Sequence, residues 1–211
     1  MFKNVILCLL LFTSIAVIAQ NRPLTLKESE NFRNKVQETT RKTTSIESDF
    51  TQEKEMSMMA EKITSTGKFY FRKEKMLRWE YMKPFPYLII ISNDVMYVVD
   101  DNKENKINLQ SNKVFREINN IILGAVQGTL LNDQKNFKTT LSDNHTYYLA
   151  ALFPQSSNLR ETLREIDIYF NKTDYSVEQL IMHEASGDYT KITFTSKKMN
   201  QPISDEKFLP R

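Results

Sequence analysis

Apolar and polar side chains alternate along most of the chain, and the alternation is strongest over residues 65–91. Within 76–81, the side chains of Leu77, Trp79 and Tyr81 fall on one face of a strand, and the charged side chains fall on the other. Short strands with this period and this aromatic content predict a sheet with a large apolar face. Such a face either packs against another layer of the protein or binds an apolar molecule.

The pattern predicts two helices and ten or eleven short strands. The first helix covers 26–44 and begins with a capping box formed by Thr25 and Glu28. A second, apolar helix at 114–131 interrupts the strands, and a helical turn is predicted at 157–162. The predicted strands are 46–52, 68–72, 76–81, 88–92, 95–100, 106–109, 137–141, 146–153, 163–170, 177–184 and 189–196.

These elements predict the α+β class, with helices gathered on one face of an antiparallel sheet. Turn residues separate consecutive strands, which favours an antiparallel meander. Ten or eleven strands are too many for a flat sheet, so we expect it to curl around the two apolar helices as an unclosed barrel. Gly124 and Gly128 in the second helix predict close packing of that helix on the sheet.

The N-terminal residues have the pattern of a secretory signal peptide. Lys3 precedes an apolar run at 5–18, and a small-residue cleavage site follows. We therefore expect 1–19 to be removed and 20–211 to form one domain, with a retained N-terminal anchor as the alternative. Cys8 is the one cysteine and lies in the apolar run, so the processed chain would have none. An exported protein without disulfides is typical of a bacterial envelope, which predicts a periplasmic location.

Composition argues against several functions. The formal charge is 29 − 26 = +3, or 28 − 26 = +2 without Lys3, which is too small to indicate a nucleic-acid partner. Four glycines and the lack of a G-x-S-x-G sequence argue against a phosphate loop and a serine nucleophile. His145 falls in a predicted turn, and His183 adjoins a carboxylate on the other strand face, so neither indicates a catalytic or metal site. We expect no cofactor, no metal and no enzymatic activity.

A set of short motifs, taken in order, resembles the LolA-type outer-membrane lipoprotein carriers. The motifs are Phe50-Thr51-Gln52, Gly67–Phe71, Leu77–Tyr81 followed by Pro84, Val98–Asp100, Asp167–Phe170, Gly187–Phe194, Asn200 and Phe208. Each motif is short, but the ordered set spans nearly the whole chain after the signal peptide. The chain also resembles a divergent branch of LolA-like proteins found with aryl-polyene or flexirubin-type lipid biosynthesis.

The resemblance implies an unclosed β-barrel of about eleven strands with a helical lid over an apolar cavity. It implies a monomeric periplasmic carrier that takes lipoprotein acyl chains from an inner-membrane lipoprotein-releasing transporter and passes them to an outer-membrane acceptor. The family's basic lid-latching residue falls on Lys73. Lysine can donate a hydrogen bond to a backbone carbonyl, but it lacks the forked geometry of arginine.

The predicted lipid-binding residues combine apolar strand positions with the second helix. On the strand at 88–92, either Leu88 with Ile90 or Ile89 with Ile91 extends the apolar face, and we take the first pair. The predicted set is Phe50, Phe69, Phe71, Leu77, Trp79, Tyr81, Leu88, Ile90, Ile118, Ile121 and Ile122.

Three alternatives to lipoprotein carriage follow from the same residues. The cargo could be another lipid, such as an aryl-polyene or flexirubin-type lipid. The apolar face could instead be the core of a structural or interaction module that carries nothing. An acceptor of the LolB type would need an acylated cysteine at the cleavage point, and the sequence has none there.

Overall fold

The computed structural model describes residues 21–58, 61–73, 75–92, 94–101, 103–111 and 113–210, apart from the side chains of 113–115 and 117–119. The predicted signal peptide, 1–19, lies outside the described residues. Three α-helices are described: α1 (Leu26–Lys42), α2 (Lys113–Val126) and α3 (Ser157–Arg160). Short 3-10 turns cover Thr129–Asn132 and Asp205–Phe208.

Twelve strands lie within these ranges. They are β1 (Arg22–Pro23), β2 (Ser45–Glu55), β3 (Ile63–Arg72), β4 (Met76–Lys83), β5 (Tyr87–Ser92), β6 (Val95–Asp100), β7 (Lys103–Asn108), β8 (Phe137–Asp143), β9 (Tyr147–Pro154), β10 (Leu163–Asn171), β11 (Val177–Glu184) and β12 (Tyr189–Met199).

The strands form one curved antiparallel sheet in the order β1-β8-β9-β10-β11-β12-β2-β3-β4-β5-β6-β7. Strands β1 and β7 are its two edges, so the sheet does not close into a full barrel. The predicted α+β class and unclosed antiparallel sheet are confirmed, with twelve strands in place of about eleven. The β2–β12 pair lies in the middle of the sheet and joins the first and last long strands of the chain.

The additional strand is β1, which pairs Arg22 with Asp143 and Pro23 with Ser142 at the edge of the sheet. Proline has no backbone N–H, so it is tolerated at an edge where that position need not donate. A two-residue strand also has no period that a sequence pattern can reveal. The missed strand therefore leaves the predicted architecture unchanged.

Helix α1 begins as the sequence predicts. The backbone N–H of Glu28 donates to the Thr25 hydroxyl at 3.3 Å, and the Thr25 N–H donates to the Glu28 carboxylate at 2.8 Å. This reciprocal pair satisfies two backbone donors that the first turn would otherwise leave free. The helix buries Phe32 and Val36 and ends at Lys42, two residues short of the predicted bound.

The two faces of the sheet carry different apolar clusters. The inner, concave face packs against α1 and α2 and forms the main core. The outer face has a smaller cluster of Tyr70, Leu88, Ile90 and Phe208. Phe208 reaches this cluster from the 3-10 turn at 205–208, which therefore covers the outer face beside β4 and β5.

Charged hydrogen bonds hold this C-terminal turn on the sheet. Arg78 is 8% exposed, and its guanidinium donates to the Lys207 carbonyl at 3.1 Å. Arg72 donates to the Ile203 carbonyl at 2.9 Å and contacts the Asp205 carboxylate at 2.6 Å. Residues that follow β12 are thus part of the folded unit.

The capping box of α1 gives the fold a pH dependence. Hydrogen bonds from the Arg22 guanidinium, and then from Thr25, lower the pKa of Glu28 to about 2. An unfolded glutamate titrates near pH 4.3, so the ionised carboxylate stabilises the fold above that pH, and this contribution is lost as the pH falls towards 2. We expect Glu28→Gln to lower the melting temperature at neutral pH and to lower it progressively less in acid. Glu30→Gln, a change at an exposed position of the same helix, is the matched control. An equal fall in melting temperature for Glu28→Gln at every pH would contradict this role of Glu28.

Candidate functional site

The candidate site is the inner face of the sheet together with the two helices that cover it. Its centre is a direct cross-strand row in which Ser48 of β2 pairs with Phe69 of β3, and Phe69 pairs with Trp79 of β4. The Trp79 ring lies 5.1 Å from Phe69 and 5.2 Å from Phe50, both edge to face. Ring pairs in this geometry add to the stabilisation that comes from burial. The inner face is therefore a contiguous aromatic surface.

Five predicted lipid-binding residues lie in this inner cluster with almost no exposure: Phe50, Phe69, Phe71, Leu77 and Trp79, at 1–3%. Tyr81 is half-buried against the same cluster. Its hydroxyl donates to Gln52 at 2.9 Å, and burial raises the pKa of Tyr81 to about 12. The strand parity assumed for β3 and β4 is the one that the structure has.

The predicted position of Leu88 and Ile90 is wrong. In β5, Ile89 pairs with Trp79, so it shares the inner face, whereas Leu88 and Ile90 point to the outer face beneath Phe208. The run 87–91 is apolar on both faces, so alternation along β5 does not distinguish them. Only the C-terminal turn, far away in sequence, explains why the outer positions are apolar as well.

Helix α2 is the lid over this face. Ile121 and Ile122 are half-buried against the inner cluster, and Leu123 and Ala125 are buried in it. The side chain of Ile118 lies outside the described residues, so its predicted role stays a prediction.

Gly128 joins the end of α2 to α1 rather than to the sheet. Its φ is +63°, a conformation that favours glycine. A Cβ at this position would lie 2.5 Å from Cγ1 of Val36, so only glycine permits the two helices to approach this closely. Gly124 contacts Leu130 of the following 3-10 turn. The predicted close packing is present, but its partners are α1 and the turn.

A basic residue does fasten the lid, but it is Arg33 and not Lys73. The Arg33 guanidinium donates to the Leu131 carbonyl and lies 3.3 Å from Oδ1 of Asn132, just beyond α2. Lys73 instead donates to the Arg41 carbonyl of α1 at 3.4 Å, so the predicted latch to the lid is not formed in this structure. No local pattern marks Arg33, because its partners lie about a hundred residues away.

The space under α1 is small. A cavity of about 30 Å³ lies between the second half of α1 and strands β2 and β12, lined among others by Val36, Ser48, Phe69, Phe194 and Lys197. Sites for small ligands commonly measure about 300–1,000 Å³. This cavity is too small for an acyl chain unless the side chains around it move. A second, more open space of about 210 Å³ lies beside the lid, against Ile121, Leu130 and Phe137. The expected cavity under the first half of α2 stays a prediction, because most of the side chains there lie outside the described residues.

The polar cluster on the outer face does not belong to this site. Nε2 of His183 lies 3.1 Å from Oδ2 of Asp167. Burial, and then the neighbouring Asp167 carboxylate, raises the pKa of Glu165. Within the described part of the chain, no group of three or more His, Cys, Asp or Glu residues is placed to hold a metal.

An unclosed antiparallel sheet whose aromatic concave face is covered by helices places the protein in the open-barrel class. The family model described as outer membrane lipoprotein carrier protein LolA matches residues 41–210. This match covers most of the chain, so the chain belongs to that family. No curated protein matches it significantly in sequence.

Three solved structures have the same fold at low sequence identity. An uncharacterised conserved protein from Thermus thermophilus has a TM-score of 0.52 and 9% identity, over 85% of this chain and 91% of that one. The Mycobacterium tuberculosis lipoprotein LppX has a TM-score of 0.50 and 10% identity, over 85% and 99%. Pseudomonas aeruginosa MucB, solved with MucA, has a TM-score of 0.51 and 10% identity, over 87% and 61%. None of the described helices has the length and apolar character needed to cross a membrane.

The Arg33 contact predicts a local effect on the lid. Arg33→Met keeps the aliphatic stem but removes the donors to Leu131, which leaves that carbonyl without its charged partner and costs about 1–3 kcal/mol. We expect faster amide hydrogen exchange in the segment 121–132, with little change in the central strands. Arg41→Met, at an exposed position of the same helix, is the control. Uniformly faster exchange over the whole chain would show that Arg33 has no specific role at the lid.

Proposed function

We propose that the protein carries lipoprotein acyl chains through the periplasm, after removal of residues 1–19. In this proposal an inner-membrane lipoprotein-releasing transporter supplies the cargo, and an outer-membrane acceptor receives it. The protein itself catalyses no reaction. Membership of the LolA family supports this role, and LppX, which shares the fold, is itself named as a lipoprotein.

The observation that carries the proposal is the manner in which the aromatic inner face is covered. The lid covers it with residues from the last turns of α2, including Ile121 and Leu123. The cover is fastened to α1 through the contacts of Gly128 and Arg33 described above. In this proposal the lid separates from α1 by breaking these contacts, while the strands stay paired.

The cargo supplies the free energy for this exchange. Burial of one methylene is worth about 0.8 kcal/mol, so a chain of about 15 methylenes gains roughly 12 kcal/mol on leaving water. That gain is of the order needed to displace a few apolar lid side chains and the hydrogen bonds of Arg33. The empty protein then covers the same aromatic surface with its own lid.

The small size of the cavity under α1 favours a second candidate, a structural or interaction module whose apolar face is simply core. A cavity of about 30 Å³ is what such a module would have. The two candidates differ in whether the lid opens for a lipid. A carrier of another lipid, including an aryl-polyene or flexirubin-type lipid, shares the lid mechanism and differs only in the cargo.

A reversible lock on the lid tests the carrier proposal. A Cβ placed on Gly128 would lie 3.9 Å from Cβ of Val36, which is within the range of a disulfide, and Val36→Cys removes the branched methyl groups with which that Cβ would clash. The positive φ at position 128 strains any residue other than glycine, so the oxidised double variant is compared with its own reduced form. The chain without its signal peptide has no other cysteine, so Val36→Cys with Gly128→Cys gives one defined bridge. We expect the oxidised variant to lose uptake of a fluorescent fatty acid at least tenfold and to recover it on reduction. The emission of Trp79, the one tryptophan in the chain, reports binding at the inner face.

Val36→Cys alone is the control for oxidation without a bridge. Gly128→Cys alone is not used, because its Cβ would clash with Cγ1 of the remaining Val36. Equal uptake by the oxidised and reduced forms would show that α2 need not leave α1. Failure of uptake by the wild-type protein in every condition would favour the non-carrier module.

A further inference from the structure

One polar side chain on the inner face lacks a partner. Ser48 is 2% exposed, and its hydroxyl has no hydrogen-bond partner among the described residues. It lines the small cavity under α1, beside Phe69 and Phe194. Buried polar groups in folded proteins are nearly always paired, so an unpaired one needs an explanation.

The other polar groups of the same cavity are already satisfied. The hydroxyl of Thr39 donates to the Asp174 carbonyl at 2.8 Å, and that of Thr40 donates to the Val36 carbonyl at 2.8 Å. The Lys197 ammonium donates to Glu178 at 2.8 Å. Ser48 therefore differs from the other polar residues of the cavity, because its hydroxyl alone among those named has no hydrogen-bond partner.

A second unpaired donor lies in the same cross-strand row. Nε1 of Trp79 is buried without a partner among the described residues, although the residue is only 3% exposed. Phe69 separates Ser48 from Trp79 in the row, so the two positions lie two strand spacings apart, about 9.6 Å. The indole N–H can only donate, and a hydroxyl donates one hydrogen bond. Both groups are therefore donors on the inner face that lack an acceptor.

We propose that Ser48 and Trp79 bind carbonyl oxygens of the cargo, so that this site selects acyl esters and amides over plain alkyl chains. The inference rests on the carrier function proposed above and adds the chemistry that the carrier recognises. An acyl chain brings its ester or amide carbonyl with it, and that carbonyl is an acceptor without a proton to donate. Each carbonyl that binds converts one unpaired donor into a hydrogen bond within an otherwise apolar face. A hydrocarbon offers no acceptor, and an ether oxygen is a weaker acceptor than a carbonyl oxygen.

The test compares two matched ligands, palmitoyl lysophosphatidylcholine and its hexadecyl ether analogue, by calorimetry. They share the headgroup and the chain length and differ in one carbonyl. We expect the wild-type protein to bind the ester about three- to tenfold more tightly, as one net hydrogen bond implies. The readout is the ratio of ester to ether affinity in each variant, because a lost apolar contact weakens both ligands alike and leaves the ratio unchanged. The single carbonyl of this ligand can reach one of the two donors at a time, so Ser48→Ala and Trp79→Phe should each lower the ratio, and the double variant should bring it to about one. Thr51→Val, which removes a hydroxyl from the outer face of β2, should keep the preference.

The outcomes separate this inference from the carrier proposal. Equal binding of ester and ether by the wild-type protein would overturn the inference and leave carriage intact, with water in the cavity as the partner of Ser48. An ester preference that remains in the double variant would also overturn the inference, because other groups would then bind the carbonyl. Failure of both ligands to bind would overturn the carrier proposal and this inference with it.

Discussion

The aromatic concave face is the constraint on which the rest of the structure depends. Phe50, Phe69 and Trp79 project from three adjacent strands into one surface that water must not reach. An unclosed sheet cannot cover this face by itself, so α1 and α2 must do so. The molecule is therefore held together by an apolar contact between a long sheet and two helices, and a change in that contact is the simplest way to admit a ligand.

The two helices are fastened to this face differently. Helix α1 buries Phe32 and Val36 and is fixed at its start by the capping box. Helix α2 packs Leu123 and Ala125 into the inner cluster, and the turn that follows it is joined to α1 by the close approach at Gly128 and by the Arg33 hydrogen bonds. In the proposed carrier, α1 stays in place and α2 moves as the lid. The lid side chains then occupy the place of the cargo in the empty protein.

Sequence patterns predicted the long elements well, because period and burial agree there. Helix α1 follows from its capping box and helical spacing, and the inner parity of Leu77 and Trp79 follows from alternation. The eleven longer strands were all predicted, although β3 begins at Ile63 rather than 68 and β7 at Lys103 rather than 106. The parity of Phe69 was assumed, because Tyr70 beside it is aromatic as well. Prediction was wrong at β5, where Leu88 and Ile90 belong to the outer face. In a strand that is apolar on both faces, alternation does not show which residues point inwards. The residue that covers the outer face of this strand, Phe208, can be identified only from the fold.

The details of the site depend on contacts between residues distant in sequence, and these could not be predicted. Arg33 fastens the lid because the turn after α2 returns to α1. Lys73, chosen by resemblance, contacts α1 instead. The unpaired state of Ser48 depends on which neighbours already have acceptors, and that is a property of the assembled cavity.

Whether lipid replaces the lid is tested most directly by native mass spectrometry of the protein purified from its own envelope. The account predicts a fraction with a bound acyl lipid that is released on denaturation, and a single lipid-free mass in every preparation would contradict it.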